Sequence, residues 1–475
     1  MRIDRGRALG MFAWAAACLL LSAVLAGCSE TAARLPAVGL SGIGDPYYPT
    51  DGNRGYDVEG YAVTTTYDPA TASFDSTTRV SARATADQPR FNLDLSSALT
   101  VERVTVNGEA AAFHQVEPHE LVIVPPSPLE PGEALATVVT YHGPVGDSGP
   151  VSGWHALSGG GGVMAGEPHS CAFWYPCNDH PTDKATFRLT ATVPARFTVI
   201  SNGLEGPTST VGSGAGATKT YRWHLDAPTA TYLTTILIDR LTVRRSNLPD
   251  GTPVVDAYSP GARGQVRSES RLPEILGLLA SRFGPYPAPA AGGLFVDAPV
   301  GFSLETFSRP VYTAGIPIDT IVHENAHQWW GDNVSIERWR DICFNECMAT
   351  YAQWLWREHN GEDLDSYYRR SVNQVDFSQP LYDMGPGNEF TFEGVYQKGS
   401  YFEHALRRKI GDDTAYFAAL RGIQRDFAGS NIGMLDFRDE LTRRTGVGLR
   451  PFWREWVLSQ ERPSTDNLFP GTLAD

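Results

Sequence analysis

The run His323-Glu324-Asn325-Ala326-His327, followed after eighteen intervening residues by Glu346, constrains the fold of this chain more than any other feature. On a helix, residues four apart share one face, so His323 and His327 can turn both imidazoles toward a single point. Glu346 can join them only if a second helix packs against the first. Two imidazoles and a carboxylate form a three-ligand set for zinc with the fourth position open to water or substrate, the arrangement that separates catalytic zinc from structural zinc. Glu324, one position beyond His323, stands where a general base must stand, near the ion without being a ligand. The flanking residues support the helices. Pro317 and Asp319 suit a start, Ile318, Ile321, Val322 and Trp329 give an apolar stripe, and Gly331 suits a stop. The run 341–358 is again helical in pattern and ends near Gly361.

The rest of the chain divides by composition. Arg2, Arg5 and Arg7 precede an apolar stretch over 8–27, the shape of a secretory signal, and residues 1–27 are set aside from the fold. Leu25-Ala26-Gly27-Cys28 looks like a bacterial lipobox, in which Cys28 becomes the lipidated first residue; an uncleaved membrane-spanning anchor is the alternative. Residues 28–53, rich in Gly, Pro, Ala and Thr, read as a flexible tether. Over 54–246, short alternating or β-branched runs such as 61–67, 121–124, 136–141, 186–193 and 232–238 predict an all-β, sandwich-like domain. Over 247–475 helical patterns dominate, at 271–283, around the two zinc segments, and at 396–410, 412–426 and 437–445. The predicted fold class is therefore α+β multidomain, with a β domain followed by a mainly helical domain that carries the zinc residues.

The segment His323-Glu324-Asn325-Ala326-His327-Gln328-Trp329-Trp330-Gly331 with Asn345-Glu346 resembles the gluzincin metallopeptidases of the aminopeptidase N and leukotriene hydrolase family. Pro176-Cys177-Asn178-Asp179-His180-Pro181, Lys184-Ala185-Thr186-Phe187, Tyr396-Gln397-Lys398-Gly399 and Phe283-Gly284-Pro285-Tyr286-Pro287 are similar to further stretches of that family, in the same order. The resemblance implies a thermolysin-like catalytic domain holding one zinc ion, and an aminopeptidase that hydrolyses the N-terminal bond of peptides. It implies that His323, His327 and Glu346 bind the metal, that Glu324 is the general base and that Tyr396 stabilises the oxyanion. Glu305 takes the place of the Glu in the family's Gly-x-Met-Glu-Asn signature, with Leu304 and Thr306 replacing Met and Asn. Glu167, nine residues before Pro176, takes the place of a second amine-binding residue. Two carboxylates beside a zinc site are what recognition of a free α-ammonium requires. Two other functions stay open: an endopeptidase or other hydrolase on the same zinc scaffold, and a binding lipoprotein without turnover.

Without residues 1–27 the chain has 36 basic and 53 acidic side chains, a net charge of −17, which argues against nucleic acid as a partner. The expected setting is outside the cytoplasm, tethered to the bacterial membrane by lipid; oligomeric state is not legible. Beyond Cys18 and Cys28, four cysteines suit an oxidising compartment: Cys171, Cys177, Cys343 and Cys347. Cys171 and Cys177 share a face if their segment is extended, and Cys343 and Cys347 share a helix face. Closing Cys343 onto Cys347 would strain a helix, so two crosslinks between the β segment and the Glu346 helix are expected. A second, structural zinc is the other use these four could have.

Overall fold

The computed structural model describes residues 41–145, 147–149, 152–265, 270–298 and 301–474. The expected signal segment, Cys28 and the first part of the tether lie outside the described residues. Among the described residues, no helix is long and apolar enough to cross a membrane.

Alternation in Tyr56–Asp68 buries Tyr56, Val58, Tyr61, Val63 and Tyr67 on one face, as a half-buried strand requires. This strand pairs antiparallel with Ser73–Ala84 and parallel with Ala185–Pro194 at the centre of a nine-stranded sheet. A five-stranded sheet that includes Ser152–Ala156, Gly162–Met164 and Ile236–Asp239 meets that face. There the Trp154 ring lies 5.5 Å from both Tyr67 and Phe74. A three-stranded sheet of Phe91–Asp94, Ala112–Val116 and Glu120–Val124 completes the β-rich half.

The second half is built from helices α1 (Leu272–Phe283), α2 (Ile318–Ala326), α3 (Cys343–His359), α4 (Leu364–Ser371), α5 (Gly399–Ile410), α6 (Asp413–Asp426) and α7 (Met434–Thr445). Helix α3 is buried on nearly every side and runs through the core, as a helix without a solvent face must. Asp363 and Asp412 cap α4 and α6 by accepting hydrogen bonds from first-turn amides. One element was not anticipated from the helical patterns: a four-stranded sheet of Thr242–Asn247, Pro253–Tyr258, Ala291–Val296 and Val311–Thr313. Its first strand starts before the boundary expected at 246/247.

The described part of the expected tether, 41–53, is packed into the fold and is not a loose linker. Asp45, Tyr47, Asp51 and Asn53 are buried. Asp45 Oδ2 accepts hydrogen bonds from the Trp339 amide at 2.8 Å and from His180 Nε2 at 3.2 Å, and the Tyr47 hydroxyl donates to Asp383 at 3.0 Å. Polar residues that look solvated in sequence are here hydrogen-bonded to both halves. Lys184, half-buried at the same seam, donates to the carbonyls of Asp332 and Asn333 at 2.8 and 2.9 Å, so the β half holds the loop that comes after α2.

Helices α5 and α6 share a buried polar contact, in which the Tyr416 hydroxyl donates to Glu403 at 3.2 Å. Burial pushes the Glu403 carboxyl up to about 8 from an ordinary value of 4.5. The folded protein thus holds a proton on Glu403 that the unfolded chain has released, and this contribution to stability, complete below the unfolded value, is lost as pH rises through the folded one. Glu403→Gln is expected to make the fall in unfolding free energy between about pH 5 and 8 shallower in denaturant titrations. An unchanged slope would contradict the assignment.

Candidate active site

His323 sits in the last turn of α2 and His327 just past its end, with φ −58° and ψ −25° that continue the helical course. Regular helix therefore stops at Ala326 and not near Gly331, because the chain turns to bring the Trp330 carbonyl back to His327. That carbonyl accepts from His327 Nδ1 at 2.9 Å, which leaves Nε2 free to face the site. Burial of Trp330, with Phe283 at 5.4 Å and Phe344 at 5.2 Å between ring centres, fixes the turn.

Helix α3 brings Glu346 to the same point. His323 Nε2 lies 3.1 Å from His327 Nε2 and 3.1 Å from Glu346 Oε2, and His327 Nε2 lies 3.6 Å from that oxygen. Ligands about 2.0–2.1 Å from a tetrahedral zinc are about 3.3–3.4 Å apart, so the three atoms fit one ion without rearrangement. Burial opposes ionisation of Glu346, yet the two imidazoles hold its carboxyl well below the ordinary carboxylate range, the state a metal ligand needs.

Glu324, Glu305 and His327 offer ligand atoms within 4.8 Å of one another. Burial raises the Glu324 carboxyl well above the usual range, with Glu305 and Glu346 adding to the rise and His327 opposing it. Glu305 is buried; it accepts from the Tyr232 hydroxyl at 3.2 Å, and its carboxyl is raised mainly by burial. Burial and the charge of Glu305 raise Glu167 strongly, and Glu167 Oε1 is a buried oxygen without a hydrogen-bond partner. The Tyr396 ring centre is 6.0 Å from that of His323, and burial together with the nearby carboxylates keeps its phenol protonated. His323, His327 and Glu346 thus meet at one point, with Glu324 and Glu305 beside His327, Tyr396 beside His323, and Glu167 near enough to feel the charges of Glu305, Glu346 and His327. A metal, a base, an oxyanion donor and two acceptors for a cation can all be supplied there.

Sequence reasoning left the supporting residues unassigned. Gln328 donates from Nε2 to the Glu305 carbonyl at 2.9 Å and to Asp332 at 2.7 Å, and accepts from the Ser308 amide at 2.7 Å, so it ties the Glu305 loop to the end of α2. Tyr396 lies in the π-helical segment Phe392–Lys398, and Lys398 pins that segment by donating to the carbonyls of Gln379 at 2.6 Å and Ser459 at 3.1 Å. Gln328 and Lys398 stand inside the motifs and could have been found from them. Tyr232 carries no such signal.

The cysteine pairing is corrected. The bridges are Cys171–Cys177 and Cys343–Cys347, each within its own segment. The segment at Cys171 is a 3₁₀ turn and not an extended strand, which brings the two Cα atoms to 6.3 Å. Cys343 and Cys347 occupy the opening of α3 with Cα atoms 4.8 Å apart, inside the usual disulfide range. All four sulfurs are therefore used, and none is left for a second zinc. The Cys347 sulfur packs on Gly399, where a Cβ would come within 2.4 Å of it, so α5 approaches α3 only because this position is glycine.

Residues 58–233 match the model of the peptidase M1 N-terminal domain, and residues 316–456 that of the peptidase family M1 domain. The chain is 25% identical over 346 residues to human aminopeptidase N, covering 63% of this chain and 35% of that protein. It is 24% identical over 334 residues to leucine aminopeptidase 2 of Aspergillus fumigatus, covering 63% and 52%. It thus spans about a third to a half of the length of these curated relatives. The crystal structure of an M1 zinc metallopeptidase from Deinococcus radiodurans superposes with a TM-score of 0.82 at 27% identity, covering 89% of this chain and 99% of that one. A mutant of the Deinococcus protein bound to a Tyr-Ser-Ala substrate matches equally well, with the same TM-score, identity and coverage. Two domain models in the family's own order, and a fold shared over nearly all the described residues, show that this chain belongs to the M1 family of aminopeptidase N-like gluzincin metallopeptidases.

Proposed function

We propose that the protein is a zinc aminopeptidase that removes the N-terminal residue of peptides. The observation that carries this reading is the pair Glu167 and Glu305, two carboxylates withdrawn from water beside the metal site, both raised by burial and one with an oxygen left unpaired. Such a pair is costly in itself and is relieved by a cation bonded to both, which the α-ammonium of a peptide supplies. His323, His327 and Glu346 hold zinc, which when bound supplies a Lewis acid for the scissile carbonyl and for water. Glu324, whose carboxylate stands beside His327 without joining the three metal ligands, takes a proton from the attacking water and returns it to the leaving amine. Tyr396, held as a neutral phenol, donates to the oxygen that becomes negative as the carbonyl carbon turns tetrahedral.

The setting we propose is outside the cytoplasm, on a lipid anchor at Cys28. Support for it is confined to the Leu25-Ala26-Gly27-Cys28 sequence after an apolar stretch and to an even set of disulfide-bonded cysteines. Mass analysis of the protein extracted from membranes should find lipidated Cys28 as its first residue; a chain still carrying residues 1–27 would favour an uncleaved anchor.

Glu324→Gln is expected to retain stoichiometric zinc and lose about 10²-fold to 10⁴-fold in kcat, whereas Glu346→Ala should weaken zinc binding itself. Metal analysis of the two purified variants separates them, and zinc lost from the first but kept by the second would reverse the roles. Glu305→Ala should lower kcat/KM on free-amine peptides by about tenfold to a hundredfold. Wild-type protein that cleaves N-acetylated and free peptides equally would favour the endopeptidase alternative and leave the zinc site in place.

A further inference from the structure

Beside Glu324 the site opens into a cavity of about 680 Å³. Among the described residues its walls include His323, Glu324 and Tyr396 but neither Glu167 nor Glu305. Glu305 approaches His327, while His323 faces Tyr396 and has Thr350 at 3.5 Å, so the two sides of the metal site are chemically distinct. A peptide whose ammonium is held by Glu167 and Glu305 has its scissile carbonyl over the metal ligands. The residue beyond the scissile bond must then enter the cavity on the His323 side.

The floor of that cavity is aromatic. Glu346, Thr350 and Trp354 recur every four residues and share one face of α3, so the helix that supplies a metal ligand also supplies the floor. The Trp354 ring meets Tyr367 of α4 at 4.9 Å and Tyr401 of α5 at 4.8 Å, both edge to face. Phe392, on the turn that carries Tyr396, stands 66% exposed at the rim, where a large apolar side chain needs a reason to face water. No Lys, Arg or Asp lines the cavity among the described residues, and apart from Glu324 and His323 its polar wall is made of neutral hydroxyls and amides.

We infer that this cavity is the subsite for the residue immediately after the scissile bond and that it selects a large aromatic side chain there. The inference rests on the aminopeptidase reading above and adds the class of peptide cleaved. An aromatic ring entering the cavity finds ring faces and edges already arranged for T-shaped contact and is covered by Phe392. A charged side chain would give up hydration without a counter-charge on the wall. A glycine would leave the cavity to water.

The test is a series Ala-Xaa-NH₂ with a free N-terminus, cleaved by the zinc-loaded full chain. Xaa as Phe or Trp should exceed Gly and Lys by about tenfold or more in kcat/KM. Trp354→Leu should shrink the Phe-to-Gly ratio. Phe392→Ala should shrink it too and, as a surface change, does so without a folding defect. Equal cleavage across the series, or a ratio unmoved in both variants, would overturn the inference. Acetylated peptides in the same series separate the two levels of failure. If they are cleaved as well as free ones, the aminopeptidase reading falls and takes the inference with it. If only free peptides are cleaved, whatever their second residue, the inference alone falls.

Discussion

Carboxylates crowd the interior of this protein around two imidazoles. Glu167, Glu305, Glu324 and Glu346 act on one another electrostatically in surroundings largely stripped of water; burial raises the first three carboxyls, and the histidines hold that of Glu346 below the ordinary range. Like charges placed this closely in a low dielectric either pick up protons or gather cations. Much of the surrounding structure keeps them in place. Lys184 and Gln328 fasten the loop after α2, the Trp330 carbonyl orients His327, and Lys398 fixes the segment that presents Tyr396. A stability cost of this kind is what a binding and catalytic centre carries and what the rest of the core must offset.

The arrangement also divides the work between the two halves of the chain. On the proposed reading the β half contributes Glu167, and Tyr232, which donates to Glu305, while the second half contributes Glu305, the metal ligands, the base and the phenol. Asp45, Tyr47 and Lys184 join the halves through buried hydrogen bonds. Tyr48 belongs to this seam as well. Its ring stands edge-on to Trp339 at 5.8 Å and to His169 at 5.8 Å, and its hydroxyl donates to the buried Glu389. The groups assigned to amine recognition and to the chemistry thus sit in one continuous packed interior.

Much of the site could be read from the sequence because catalysis demands residue types at fixed helical spacings. His323, Glu324 and His327 lie within about one turn, Glu346 needs a partner helix, and the periodicity that marks α2 and α3 is the one that aims those side chains. The features that escaped notice depend on contacts distant in sequence. Residues 41–53 have the composition of a linker, and only the amide of Trp339 and the ring of His180 make Asp45 a core residue. The strand Ala291–Val296 contains two glycines, which weaken any strand pattern; at Gly292 a Cβ would meet the Val255 carbonyl at 1.9 Å, so the parallel pairing itself requires the glycine. The disulfide pairing is hidden from the sequence for a related reason. Spacing alone did not show that the chain turns tightly at Cys171 or that the opening of α3 admits a bridge across one turn.

The most direct measurement is a crystal structure of the zinc-loaded Glu324→Gln variant with an uncleaved free-amine peptide. The account requires one zinc between His323, His327 and Glu346, the peptide's terminal nitrogen between Glu167 and Glu305, and its scissile carbonyl within reach of Tyr396. A peptide that runs through the site with its terminus away from Glu167 and Glu305, or zinc held by any other ligand set, would contradict it.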